Sequence, residues 1–171
     1  KRERMKIAFT GSHGTGKTTS MFSYAHTAKL ENPNSRVEVF HENASRAPKG
    51  LFNKKGTKES QLWIFTNQLR SEIELTNIYD IVVCDRTVLD PIAYAIYMGF
   101  QDLANKMFDL SLDHLSSYDM IIFKQIKTND YLKDCQHRDT NDIGYRQRVE
   151  TILLSLYETA RIMGSEKFRM V

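Results

Sequence analysis

The stretch Lys6-Ile7-Ala8-Phe9-Thr10-Gly11-Ser12-His13-Gly14-Thr15-Gly16-Lys17-Thr18-Thr19 decides the fold. Residues 6–10 form a short apolar run of strand type. Glycines then interrupt the run, and residues from about 17 to 30 carry helical spacing until Asn32-Pro33-Asn34-Ser35 stops them. Gly11 to Thr18 matches G-x-x-x-x-G-K-[ST] between a strand and a helix, the setting in which that pattern binds phosphate. Backbone N–H groups must curl around an anion there. A Cβ would obstruct them, and the helix N-terminus adds partial positive charge. Lys17 supplies a full charge that can follow the β- and γ-phosphates, and the Thr18 hydroxyl is placed to ligate magnesium. Gly11, Ser12, His13, Gly14, Thr15, Gly16, Lys17, Thr18 and Thr19 are therefore the expected contacts of ATP and its Mg2+. A glycine turn capping a helix, with a lysine in its first turn, is the plain alternative. The joint presence of strand, loop and helix argues against it.

Outward from this unit, strand and helix patterns alternate. Val37-Glu38-Val39-Phe40 and Ile81-Val82-Val83-Cys84 read as strands, Met120-Ile121-Ile122-Phe123 is apolar on both faces like a buried parallel strand, and residues 167–171 offer a fifth. An amphipathic helix is expected over residues 60–78, carrying Leu62, Trp63, Phe65, Leu69, Ile73 and Leu75. Further helices run from Pro91 to about Met98, where Gly99 supplies a stop, over about 103–115, and over about 145–162. Each parallel crossover needs a helix-sized connection, so the alternation specifies a three-layer α/β fold, a parallel sheet with helices on both faces. At 171 residues the chain fits one domain, 1–171, long enough to bury such a core.

Ligands of open α/β sheets gather beyond the carboxyl ends of the strands. Asp85 ends one apolar run and Arg86 follows it. The carboxylate is positioned to hold a magnesium water or orient an acceptor, and the guanidinium to neutralise phosphate charge. Glu42 ends another run, with Arg46 one helical turn on, a pair suited to an acceptor hydroxyl. Transfer of a phosphoryl group to an alcohol is helped by a carboxylate that receives the proton. Glu42 is the candidate for that base, with Asp85 as its rival. Exposed ion pairs are the bland reading of each pair.

The polar run Asp134-Cys135-Gln136-His137-Arg138-Asp139-Thr140-Asn141-Asp142 lies before the last helix, and Arg146 and Arg148 follow it. Such a segment, about 130–147, would act as a lid that brings Arg138 and Arg146 to the transferring group while excluding water. Trp63, Phe65, Tyr94 and Tyr97 offer rings for stacking, yet their helical spacing favours core packing.

Composition removes other classes. With 41% hydrophobic and 26% charged residues and no apolar run long enough for a bilayer, a membrane protein is not expected. The run after residues 1–5 is too short for a secretory signal, so a cytoplasmic location is expected. Cys84 and Cys135 occupy such different settings that a disulfide framework is not suggested. His41-Glu42 has Ser45 where a second zinc-ligating histidine would fall. A net charge of +3 suits a polyanionic ligand without marking a nucleic-acid binder.

Gly11 to Thr18, Glu42 with Arg46, Asp85-Arg86-Thr87-Val88-Leu89-Asp90-Pro91, and Arg138 before the last helix together resemble the small P-loop nucleoside and nucleotide kinases. Deoxynucleoside kinases, ribosylnicotinamide kinase domains and phage P-loop kinases are the nearest in kind. The resemblance implies an ATP- and magnesium-dependent transfer to a hydroxyl of a nucleoside or nucleotide, with Asp85 and Arg86 beside the phosphates and Glu42 at the acceptor. A lone Arg138 stands where relatives carry an arginine cluster. Phage relatives that phosphorylate hydroxymethyluracil in DNA, and polynucleotide kinases, make DNA a second implied acceptor. That acceptor would need a groove lined by Lys49, Lys54, Lys55 and Lys58 and strongly salt-dependent binding. A P-loop ATPase switch shares the same loop. A homodimer is compatible with a domain of this kind.

Overall fold

A computed structural model describes residues 4–41, 56–127, 143–163 and 169–170. The elements in chain order are β1 (Met5–Thr10), α1 (Lys17–Glu31), β2 (Val37–Phe40), α2 (Lys58–Ile78), β3 (Ile81–Asp85), α3 (Leu89–Tyr97), α4 (Gln101–Leu115), β4 (Met120–Phe123), α5 (Ile143–Ile162) and β5 (Arg169–Met170). The strands form a parallel sheet in the order β2-β3-β1-β4-β5. The expected alternation and the three-layer α/β class are thereby observed.

Local chemistry explains the boundaries. α2 begins two residues before the expected position because Thr57 and Ser60 form a capping box. The Ser60 N–H donates to Thr57 Oγ1 at 3.1 Å, and the Thr57 N–H donates to Ser60 Oγ at 2.9 Å. α3 begins at Leu89, so Pro91 falls within its first turn, where the ring removes no helical hydrogen bond. Gly99, at φ 82°, follows the end of α3 in a conformation that suits glycine.

The period of two in the strands splits the core. Ile7, Phe9, Ile81 and Val83 face α1 and pack on Met21, Ala25 and Ala28. Ala8, Val82 and Cys84 face the other way, into a larger core with Phe65, Leu89, Ile92, Met107 and Leu153 from α2 to α5. Register pairs Ile7 with Val83 on one side of β1 and with Met120 on the other, so β1 sits at the centre and delivers its loop between β3 and β4.

The larger core holds a charged group. Lys6 on β1 is 2% exposed, and its Nζ donates to Oε2 of the fully buried Glu72 at 2.8 Å. His114 Nε2 lies 2.8 Å from the same oxygen and 3.0 Å from Lys6 Nζ. Tyr118 Oη and Gln68 Nε2 both donate to Glu72 Oε1, at 2.8 and 2.6 Å. Buried charges persist only when paired and hydrogen-bonded in this manner.

Candidate active site

The loop after β1 takes the shape its glycines permit. Gly11 sits at φ 133°, and a Cβ there would collide with the backbone carbonyl of Lys124, so only glycine lets β1 leave the sheet beside β4. Gly16, at φ 76°, is the N-cap of α1 and turns the chain so that the helix N-terminus points into the loop. Lys17, 6% exposed, folds its ammonium back to donate to the Ser12 carbonyl and lies 3.5 Å from Thr15 Oγ1. Ser12 Oγ is buried and has no hydrogen-bond partner among the described residues. Thr18 and Thr19 are exposed at the first turn of α1.

Thr18 Oγ1 donates to Asp85 Oδ2 at 3.1 Å, joining the loop to the end of β3. These donors fit the groups that such a loop implies. An alcohol and a carboxylate oxygen are hard ligands of the kind magnesium takes, and the ammonium and helix N-terminus beside them suit phosphate. Among the described residues no cluster of three or more His, Cys, Asp or Glu offers a competing metal site.

Arg86 follows Asp85 at φ 78°, the one non-glycine residue with positive φ among the described residues. A bulky side chain held in that region costs about 1–3 kcal/mol and persists where surrounding contacts over-determine it. Those contacts are present. The Arg86 N–H donates to the Phe9 carbonyl at 2.8 Å, and Arg86 Nη1 donates to Asp90 Oδ1 at 3.1 Å. Asp90 is fully buried, and its Oδ2 accepts from Thr10 Oγ1 at 2.8 Å, from the Thr87 N–H at 2.8 Å and from Thr87 Oγ1 at 3.1 Å. One carboxylate thus ties the end of β1, the turn after β3 and the Arg86 guanidinium together. In the sequence Asp90 is marked only by its place in the run 85–91 and by its i,i+4 spacing from Arg86.

On the other side of the loop, the His13 ring packs against both Tyr94 and Tyr145, with centroids 5.3 and 5.2 Å away, and the two tyrosine rings lie 6.5 Å from each other. Tyr94 Oη lies 3.0 Å from His13 Nδ1 and 3.5 Å from Arg86 Nη1. The Tyr94 ring packs against the core, as its helical spacing implies, while its hydroxyl reaches the loop. Phe65 is a core residue as expected and Trp63 is half-buried. Arg146, buried at the start of α5, donates from Nε to the His13 carbonyl at 3.0 Å and from Nη2 to the Gly14 carbonyl at 3.4 Å. Expected at the transferring group and its substrate, Arg146 is found on the carbonyls of the phosphate loop.

The structure therefore brings together the residues of the loop, Asp85, Arg86 and Arg146. Glu42, Arg46, Arg138, Cys135, Lys49, Lys54, Lys55 and most of the expected lid segment lie outside the described residues. Lys58 is described, and its Nζ lies 5.9 Å from the centre of the Phe100 ring. No helix among the described residues is long and apolar enough to cross a membrane.

A protein-family model described as AAA domain matches residues 6–164. No curated protein sequence matches the chain. Among solved structures, thymidylate kinase from Ehrlichia chaffeensis is similar with TM-score 0.65 and 20% identity, over 99% of this chain and 93% of that one. Deoxyadenosine kinase from M. mycoides with bound dATP gives 0.63 and 19% over 98% and 90%. Thymidylate kinase from Candida albicans gives 0.71 and 14% over 99% and 83%. At these identities the likeness is one of fold.

Proposed function

From the premise that the chain belongs to the AAA domain family, we propose that it is an ATP-dependent kinase that transfers the γ-phosphoryl group to a hydroxyl of a nucleoside or nucleotide. The observation that carries this reading is the 3.1 Å contact between Thr18 and Asp85, which sets a hydroxyl and a carboxylate beside Lys17 at the mouth of the loop. The similar solved structures are of a thymidylate kinase and a deoxyadenosine kinase, which favours a nucleoside or nucleotide acceptor.

In this reading the loop amides and Lys17 hold the β- and γ-phosphates, and the ammonium now on the Ser12 carbonyl turns to meet them. Bound magnesium would supply Lewis-acid charge stabilisation, with Thr18 and Asp85 as its protein-side oxygens. Arg86, fixed by Asp90, presents a guanidinium whose charge offsets that developing on the transferring group. Arg146 acts through the loop, since its bonds to two carbonyls leave the amides of that turn pointing inward. Glu42 receives the acceptor proton, Arg46 orients the acceptor, and Arg138 closes on the phosphoryl group. Its location in this reading is the cytoplasm, where ATP is abundant.

The test is incubation with γ-labelled ATP and magnesium against nucleosides, nucleotides, and modified and unmodified DNA. Label on a nucleoside or nucleotide supports the proposal. Label released only as inorganic phosphate assigns an ATPase instead, and label on DNA, with an affinity that falls steeply as salt rises, assigns a polymeric acceptor.

A further inference from the structure

The buried group around Glu72 is not touched by the roles given above, and none of its members belongs to the phosphate loop. Its connections run to the turn that carries Arg86. Gln68 Nε2, which donates to Glu72 Oε1, also donates to the Arg86 carbonyl at 3.3 Å. Tyr118 Oη, which donates to the same Glu72 oxygen, accepts from the Val88 N–H at 3.2 Å. The donor inventory of each group closes around a carboxylate. An amide NH2 has two hydrogens for two acceptors, and a phenol has one hydrogen for Glu72 and a lone pair for Val88. Glu72 Oε2 is held in turn by Lys6 Nζ and His114 Nε2, both at 2.8 Å, so the carboxylate is anchored by β1 and α4.

We propose that Gln68 and Tyr118, aligned by the Glu72 carboxylate, are positioning residues that fix the Asp85–Val88 turn from beneath and so aim the Arg86 guanidinium at the transferring phosphoryl group. The proposal rests on the kinase reading for the role of Arg86. An apolar set of the same volume would fill this part of the core as well and avoid the desolvation of three ionisable groups. What it would lack is a donor for the Arg86 carbonyl and an acceptor for the Val88 amide, the two backbone groups of the turn that directly follow the positive-φ residue. Asp90 clamps the side chain of Arg86 from above, and the Glu72 group clamps its backbone from below. A guanidinium on a long side chain needs both constraints, because about 1 Å of misplacement can cost about a hundredfold in rate.

The experiment uses Gln68→Met and Tyr118→Phe, which keep volume and remove one bond to the turn each. Ala160→Gly, in the buried face of α5, serves as a control for simple loss of stability. The expected result is a roughly tenfold fall in kcat for the two positioning variants with ATP Kd within about twofold. Amide hydrogen exchange at Arg86 and Val88 should quicken, and neither change should occur in the control. In an Arg86→Ala background the same substitutions should cost nothing further, since they act through that side chain. Full kcat in both variants, unchanged exchange at Arg86 and Val88, or equal losses with and without Arg86 would overturn the proposal. If the parent protein transfers label to no hydroxyl, the kinase reading falls by itself. ATP turnover and the exchange rates then still decide whether this group fixes the turn.

Discussion

Thr18 Oγ1 and Asp85 Oδ2 meet at 3.1 Å although 67 positions separate them, which places the first helical turn after the glycine loop against the last residue of a central strand. The parallel register makes the meeting unavoidable. Phe9 pairs with Asp85, so β1 and β3 end level with each other and both release their chains on the same edge.

Replacing Lys17 with alanine removes the charge aimed at the phosphates. Phosphoryl transfer should fall by about a thousandfold or more, on the scale of losing an electrostatic contact to the transition state. Steady-state transfer assays with magnesium-ATP check this, and near-normal turnover would refute the role of Lys17.

Asp85→Asn and Glu42→Gln separate two carboxylate roles. Asp85→Asn should raise the magnesium concentration needed for half-maximal rate, because an amide is a weaker oxygen ligand than a carboxylate. Glu42→Gln should lower kcat by about a hundredfold with ATP binding intact, as loss of a general base does. If Glu42→Gln kept its full rate while Asp85→Asn lost it at saturating magnesium, the base would be Asp85.

Arg146→Ala should weaken ATP binding and kcat together, since its bonds to the His13 and Gly14 carbonyls shape the loop before any transition state forms. Arg138→Ala should lower kcat more than it weakens ATP binding. Calorimetric Kd values beside kcat for both variants provide the check, and the reverse pattern would exchange their roles.

Stability should depend on pH through Glu72. Burial opposes its charge, but the Lys6 ammonium together with the hydrogen bond and charge of His114 outweighs burial, so the carboxyl lies at about 2 rather than the ordinary 4.5. A value lowered by folding means that the stabilisation is fully present above 4.5 and is lost as pH falls toward about 2. Glu72→Gln should be less stable by about 3 kcal/mol near neutrality, as expected when one partner of a buried ion pair is removed. It should also lose less stability through the acid window. Urea denaturation across that window measures both, and identical acid slopes would exclude Glu72 as the titrating group.

The phosphate loop was legible because its chemistry is contiguous: eight residues in fixed spacing, flanked by a strand and a helix. Asp85 and Arg86 were legible because polar residues directly after an apolar run lie where ligands collect. The Glu72 group was not. Lys6 and Glu72 are 66 positions apart and His114 lies 42 beyond Glu72, so no local pattern links them. A lysine entering a strand and a glutamate in an amphipathic helix each read as solvated until packing buries them. The stacking of His13 was hidden for the same reason, since Tyr94 and Tyr145 reach it only through the docking of α3 and α5.

The alternation of β1 carries a consequence for how the chain finds its alignment. Lys6 points to the side that holds Glu72, and Ile7 to the side lined by Met21, Ala25 and Ala28. Slipping the strand by one position would thrust an ammonium among those methyl groups and strand a carboxylate across the sheet, a mispairing that costs several kcal/mol. A single lysine thereby disfavours the shifted pairing of the central strand, which would also put the glycine turn out of step with Asp85.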